Sequence, residues 1–305
     1  MKLVLFLNMG GVSKIEDCEL FLKNMFNDPY ILGIKNKFLR KIVAFLITKM
    51  RLKTMQKNYE ILGGKSPLNE ITSNLCIKLN KDKNFKFDFV NLYVPPFAKE
   101  VLEKYSLKKD DEIILFPLYP HHSQTTITTS LEVLEKNINA LNIKSKISII
   151  DVFYKDKLYN QMIKKHILRE NENFKNDKKK TLIFSAHSLP ISVIEKGDLY
   201  EKHTIEHFEI LKNELKDHFD EILLSYQSKL GPVKWLEPNT SDILKNLKND
   251  ALIYPISFCI DCSETVFELD IEYKKISNKD YKVIPCPNDS IEFQTFILSK
   301  LSNLN

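Results

Sequence analysis

Leu182-Ile183-Phe184-Ser185-Ala186-His187-Ser188-Leu189-Pro190 is an apolar run that ends on a histidine. Leu182 to Phe184 carry no polar face, the pattern of a short strand buried on both sides in a parallel sheet. Small Ser185 and Ala186, then Ser188 and Pro190, turn the chain outward. They leave His187 at the carboxyl edge of the strand, where open α/β sheets place their ligands. Taken alone, such a histidine is more often a hydrogen-bonded structural residue. A second stretch tips the balance.

Asp261-Cys262-Ser263-Glu264-Thr265-Val266-Phe267-Glu268-Leu269-Asp270-Ile271-Glu272-Tyr273 opens with turn and cap residues and continues at helical spacing. Glu264, Glu268 and Glu272 are four apart, so on a helix they share one face, about 6 Å per step along the axis. Like charges at that spacing destabilise a helix, and structure alone gives no reason to align them. A solvated face remains open as an explanation, since Asp270 and Lys274 form an ordinary opposite-charge pair elsewhere on the helix. A row of carboxylates suits a path for cations or protons better, each step offering another oxygen ligand or base.

The chain of 305 residues is long enough for two domains. Its 43% hydrophobic and 28% charged residues describe a soluble globular protein. The net charge of +5 is spread over 45 basic and 40 acidic residues, which argues against nucleic acid as a partner. The opening Met1-Lys2-Leu3-Val4-Leu5-Phe6-Leu7 reads as a first buried strand rather than a signal peptide, because Asn8 and Gly10-Gly11 cut the apolar run short. No run approaches the roughly 18 apolar residues of a spanning helix. Five cysteines are expected as reduced thiols in a cytoplasmic protein.

Apolar strands alternate with amphipathic helical stretches, which predicts an α/β fold with parallel sheets. Strands are expected at 3–7, 87–90, 112–116 and 147–152, then at 181–184, 221–224, 251–256 and 281–284. Four and four predicts two similar halves, domains at 1–160 and 175–305. A helix from Asp156 to Glu170 and the polar run Lys175-Asn176-Asp177-Lys178-Lys179-Lys180 would connect them, and the last helix is expected to pack back on the first domain. Asn8-Met9-Gly10-Gly11 follows the first strand, yet neither G-x-G-x-x-G nor a G-K-S/T ending is present for phosphate. Pro117-Leu118-Tyr119-Pro120-His121-His122-Ser123 follows the third, a stiff loop able to bind carboxylates through several donors, or a turn in which Ser123 caps a helix.

Residues 31–57 interleave Ile34, Phe38, Leu39, Ile42, Val43, Phe45, Leu46, Ile47, Met50 and Leu52 with Lys35, Lys37, Arg40, Lys41, Lys49, Arg51, Lys53 and Lys57, and no acidic residue occurs between Asp28 and Glu60. Such a stretch fits a lip over a flat apolar anion or a patch that rests on anionic lipid. A helix with its apolar face in the core is the alternative.

Asn8-Met9-Gly10-Gly11, Gly63-Gly64-Lys65-Ser66-Pro67-Leu68, Pro117-Leu118-Tyr119-Pro120, Ser185-Ala186-His187-Ser188-Leu189-Pro190, Tyr226-Gln227-Ser228-Lys229-Leu230-Gly231-Pro232 with Trp235-Leu236, and the carboxylate row together resemble the ferrochelatase family. The resemblance runs in order from Leu3 to about Ser290. It implies a lyase that inserts Fe²⁺ into a porphyrin in haem synthesis, in a cleft between two Rossmann-like domains, without a nucleotide. His187 then resembles the cleft histidine and Glu264 the carboxylate that faces it, both candidate metal ligands. Glu268 and Glu272 would extend a proton or metal relay. Met9, Lys49, Arg51, Tyr93, Pro117, Tyr119, Ser123 and Trp235 become candidate porphyrin contacts.

Three positions depart from the family pattern: Cys262 replaces a histidine, Leu92 an arginine before Tyr93-Val94-Pro95-Pro96, and Leu199 a proline. Cys259-x-x-Cys262 with Cys286 falls short of a closed four-ligand site, so no iron–sulfur cluster and no cofactor beyond substrate Fe²⁺ are expected. Protoporphyrin IX is the expected substrate, its vinyl groups suiting the apolar 34–52 stretch, with coproporphyrin III the alternative. A sirohydrochlorin-type chelatase and a tetrapyrrole carrier without catalysis are the competing functions. The protein is expected as a monomer or weak dimer in the cytoplasm, with peripheral contact to the inner face of an anionic membrane.

Overall fold

The computed structural model describes residues 1–174 and 180–304. Strands lie at β1 (Lys2–Asn8), β2 (Lys86–Asn91), β3 (Glu112–Pro117), β4 (Lys146–Ile149), β5 (Lys180–His187), β6 (Glu221–Gln227), β7 (Asp250–Tyr254) and β8 (Tyr281–Val283). They match the eight expected positions. All pairings are parallel, and the sheets repeat one order, β2-β1-β3-β4 and β6-β5-β7-β8. In each, the first strand is flanked on both sides, so the order reverses beside it; ligands of open α/β sheets bind at the strand carboxyl ends there. Asn8-Met9-Gly10 leaves that edge of one sheet and His187 that of the other.

The helices are α1 (Asp17–Phe26), α2 (Pro29–Leu32), α3 (Lys37–Ile61), α4 (Leu68–Leu79), α5 (Ala98–Lys104), α6 (Thr129–Ala140), α7 (Lys157–Asn173), α8 (Ile191–Ile194), α9 (Tyr200–Leu215), α10 (Thr240–Lys245) and α11 (Ile291–Ser302). π-helices span Gln124–Thr128 and Glu264–Glu272. The chain divides into two compact units, Met1–Tyr119 with Ser123–Asp151, and Pro120–His122 with Val152–Asn305. The division therefore falls earlier than the expected linker, and α7 is an integral helix of the second unit with Tyr159, Ile163 and Ile167 buried. α11 likewise packs within that unit. Phe296 sits 5.2 Å from Phe153 and 5.1 Å from Tyr159, ring centre to ring centre, so an aromatic cluster of the second unit takes part of its apolar face. Of the polar run expected between the domains, only Lys180 is among the described residues.

Caps set the helices of the first unit. Asp28 accepts from the Tyr30 backbone N–H at the start of α2, with Pro29 in the first turn, and Gly33 closes that helix with φ +65°. Asn36 accepts from the N–H groups of Phe38 and Leu39 to start α3. Arg40 reaches back from α3, donating to the carbonyls of Asn27 and Ile34 at 2.8 and 2.6 Å. α3 has 25 residues, of which only Ala44, Thr48 and Tyr59 are buried. Its Leu52 and Met55 pack on α1 beside Leu22 and Phe26. The nearer half leaves Phe38 74% and Met50 72% exposed, together with Leu39, Ile42, Phe45 and Leu46, so the core explanation of that stretch covers only part of it.

The glycine pair after β1 is there for packing. A Cβ on Gly10, whose φ is +94°, would lie 2.7 Å from Val94 Cγ2, and one on Gly11 would lie 2.7 Å from Ser66 Oγ. The close approach is to the protein's own loops.

In the second unit, a line of polar groups is buried. Asn160 spends both amide hydrogens on the carbonyls of Tyr154 and Asp156, so its Oδ1 accepts from His207 Nε2 at 3.0 Å. His207 Nδ1 must then accept from His121 Nε2, 2.9 Å away. Both rings are neutral, and burial holds both imidazoles well below the ordinary histidine value. Groups whose folded pKa is depressed bind protons more readily unfolded, so stability is full above pH 6.5 and falls below it, by about 1.4 kcal/mol per pH unit for each ring. Chemical denaturation between pH 7 and 5 should show this slope, and His207→Gln should reduce it.

Candidate active site

His187 ends β5 with its side chain 34% exposed, and Glu264 opens the second π-helix at 31%. His187 Nδ1 and Glu264 Oε2 are 2.7 Å apart. Burial would lower the His187 imidazole, but the charge of Glu264, its hydrogen bond and the charge of Glu268 outweigh burial and hold it above its ordinary value. Burial would raise Glu264, and His187 and Ser228 reverse this, leaving it below the usual carboxylate range. Each group thus favours the charged form of the other. With Nδ1 engaged by a carboxylate, Nε2 is the ring nitrogen available to a metal, the carboxylate–histidine–metal arrangement.

Glu268 goes the other way. Burial and the neighbouring charge of Glu264 push it above its ordinary value, against hydrogen bonds from Ser228 and Tyr273. The Ser228 hydroxyl is 2.5 Å from Glu268 Oε2 and 3.3 Å from Glu264 Oε2, and its backbone N–H donates to Glu268 Oε1 at 2.8 Å. Tyr273 donates to the same Oε1 at 2.6 Å. Two carboxylates whose affinities for protons are driven apart can divide the work, one staying ionised beside the histidine and one accepting protons. Beneath them Ser185 donates to Gln227 Oε1 at 2.8 Å, turning the Gln227 amide N–H toward the Glu264 carbonyl at 3.3 Å.

The carboxylate row is a π-helix, with i→i+5 bonding, rather than the expected α-helix. Glu264 and Glu268 are partly buried and face Ser228, whereas Glu272 is exposed at the far end, and Tyr273 takes the inner place beside Glu268. Ser228, Tyr273 and Gln227 are the residues that sequence reasoning missed as participants. The Tyr-Gln-Ser motif was the available signal for two of them.

Other candidates divide by environment. Trp235 is partly buried and donates from Nε1 to the Leu230 carbonyl at 2.9 Å. In the first unit Met9 is partly buried after β1, and Pro117 ends β3 with Tyr119 partly buried beyond it. Ser123 is 2% exposed and caps the first π-helix through Thr125 N–H, the turn-and-cap alternative. Tyr93 is 3% exposed and its hydroxyl donates to Asp28 Oδ2 at 2.9 Å, so it supports the wall from inside and offers no hydroxyl to a ligand. Lys49 is exposed on α3 beside the Phe45 ring, and Arg51 lies 6.0 Å from the Phe26 ring centre. Cys259 and Cys286 are buried, Cys259 with its thiol pushed up to about 12. Among the described residues no three His, Cys, Asp or Glu side chains are grouped to hold a metal ion.

A family model described as Ferrochelatase matches residues 2–303. The chain belongs to the ferrochelatase family. It is 68% identical over 306 residues to the Ferrochelatase of Campylobacter jejuni subsp. doylei, with both chains covered in full. It is 56% identical to that of Campylobacter concisus (99% of this chain, 98% of the relative) and 42% identical to that of Helicobacter pylori (99% and 93%). Among solved structures it is similar to CbiX, the terminal enzyme for siroheme biosynthesis in denitrifying bacteria, with TM-score 0.58 at 12% identity over 100% of both chains. SirB from Bacillus subtilis with Fe³⁺ gives 0.53 at 10% identity over 99% and 96%. At such identities these two show the two-domain chelatase fold alone. The family consists of porphyrin metal-insertion enzymes of haem biosynthesis.

In Glu264→Gln the larger attraction that raises His187 is gone, and only the charge of Glu268 still opposes burial. The His187 titration midpoint should move downward, which imidazole NMR across pH will show.

Proposed function

We propose that this protein inserts Fe²⁺ into protoporphyrin IX to give protohaem, a lyase reaction that releases the two pyrrole protons. The observation that carries the reading is the 2.7 Å contact of His187 with Glu264 at the carboxyl edge of β5. Fe²⁺ is the substrate ion, and it needs a ligand that gives it up again. His187 Nε2 fits, because Glu264 engages Nδ1 and leaves Nε2 as the nitrogen for which metal and proton compete. A proton taken up at Nε2 releases the one at Nδ1 to Glu264, which passes it through the Ser228 hydroxyl to Glu268, the carboxylate tuned to accept it. Glu264 stays ionised and offers a hard oxygen to iron. The roles are thus separable: His187 binds, Glu264 orients and relays, Glu268 receives.

Protoporphyrin is favoured over coproporphyrin III by the apolar side chains exposed on α3, Phe38, Phe45, Leu46 and Met50, which suit vinyl groups better than two more propionates. Lys49 and Arg51 on the same helix supply cations for the propionates that remain. The reading requires no cofactor beyond the iron substrate. The same exposed face, flanked by Lys37, Lys41, Lys49 and Lys53, suits peripheral contact of a cytoplasmic enzyme with anionic lipid. Among the described residues no helix is long and apolar enough to cross a membrane.

Anaerobic Fe²⁺ insertion into each porphyrin, measured separately, tests the substrate. Turnover should be faster with protoporphyrin IX. His187→Ala and Glu264→Gln should each lose at least about 100-fold in kcat with porphyrin binding retained; binding without metallation in the wild type would favour a carrier. For the lipid contact, the protein should sediment with anionic vesicles at low salt and be released at high salt, and failure to sediment removes that contact.

A further inference from the structure

One carboxylate of the first unit ties together three segments that carry porphyrin-binding candidates. Asp28 is 7% exposed and lies at the turn between α1 and α2, just before the basic helix α3. Its Oδ1 accepts from the Tyr30 backbone N–H at 2.8 Å. Its Oδ2 accepts from the Tyr93 hydroxyl at 2.9 Å, in the turn after β2, and from Thr129 Oγ1 at 2.7 Å, on the first residue of α6. α6 directly continues the π-helix that Ser123 caps. Supporting ties surround the carboxylate. Asn24 donates to the Tyr93 carbonyl at 2.9 Å, the Phe21 ring meets the Tyr93 ring edge to face, and Tyr30 Oη donates to Glu132 on α6 at 2.5 Å. Arg40 then locks the first turn of α3 to Asn27 and Ile34 on either side of this hub.

We propose that Asp28 is a positioning residue for porphyrin binding, fixing the root of α3 against the turn after β2 and the Ser123 segment so that the exposed face of α3 is held at one attitude. A carboxylate suits this place because all three groups it meets are donors, and an ionised acceptor takes three at once with stronger bonds than a neutral one. Burial and the adjacent Asp28 charge also keep the Tyr93 hydroxyl protonated and donating. α3 has few buried residues of its own, so its direction depends on what holds its base. Asp28 touches no substrate; it acts through the elements it joins.

The inference rests on the porphyrin reading for its purpose, and two measurements separate the two. The first needs no substrate: hydrogen exchange of α3 amides in Asp28→Asn and Thr129→Val, compared with Ile138→Val, a core change within α6 that leaves the hub intact. The hub variants should lose protection over residues 37–55 and Ile138→Val should not; equal protection in all three overturns the proposal. The second is porphyrin affinity by fluorescence quenching, with KM and kcat for metallation. Thr129→Val and Asp28→Asn should weaken porphyrin binding and raise its KM roughly two- to thirtyfold, with kcat and the KM for Fe²⁺ unchanged. A matching rise in Ile138→Val, or a fall in kcat alone, assigns Asp28 to stability and overturns the positioning role. If the wild type binds no porphyrin, the functional reading fails, and the exchange measurement still decides whether Asp28 holds α3.

Discussion

An imidazole and a carboxylate 2.7 Å apart, each about a third exposed, set the terms for the second unit. Separately, each would be driven toward its neutral form by burial; together, each keeps the other charged. The supporting residues are explained by this requirement. β5 delivers the histidine, the π-helix delivers the glutamate, and the Ser185–Gln227 contact orients an amide against the first turn of that helix. Glu268 can be uncharged beside them because Glu264 already places a negative charge within its reach.

Much of the fold is legible in the sequence because parallel strands buried on both faces leave unbroken apolar runs. Leu3–Leu7 and Leu182–Phe184 are both of this kind, and all five residues of the first are at most 1% exposed. His187 and Glu264 are legible as well, through residue type and the order of short motifs. The unit boundary is less so. The amphipathic pattern of α7 says that one face is covered but not by what, and the aromatic cluster of Phe153, Tyr159 and Phe296 assembles from segments far apart in sequence.

The finer geometry of the site is illegible for definite physical reasons. Spacing by four satisfies both an α-helix and the wider π-helix, and only the backbone hydrogen bonds distinguish them, so whether Glu272 or Tyr273 lies beside Glu268 cannot be read from the residues. Ser228 has φ +69°, a conformation that a serine does not advertise, and that backbone lets both its N–H and its hydroxyl meet one carboxylate. Tyr93 looks like a ligand contact because it is aromatic and sits after a strand. Its partner Asp28 is distant in sequence, and nothing local records the pairing.

The placement of α11 bears on the order in which a growing chain can fold. The first sheet is complete once Ile149 has been made, and its core draws on residues 3–143. The second unit brings Phe153 and Tyr159, at the start of its long segment, against Phe296 of its last helix, on which Phe293 stacks. During synthesis the finished first unit is thus followed by a second whose aromatic cluster has lost one wall. Tyr159 and Phe153 stay open to water, or to a chaperone, until the last helix is available to cover them.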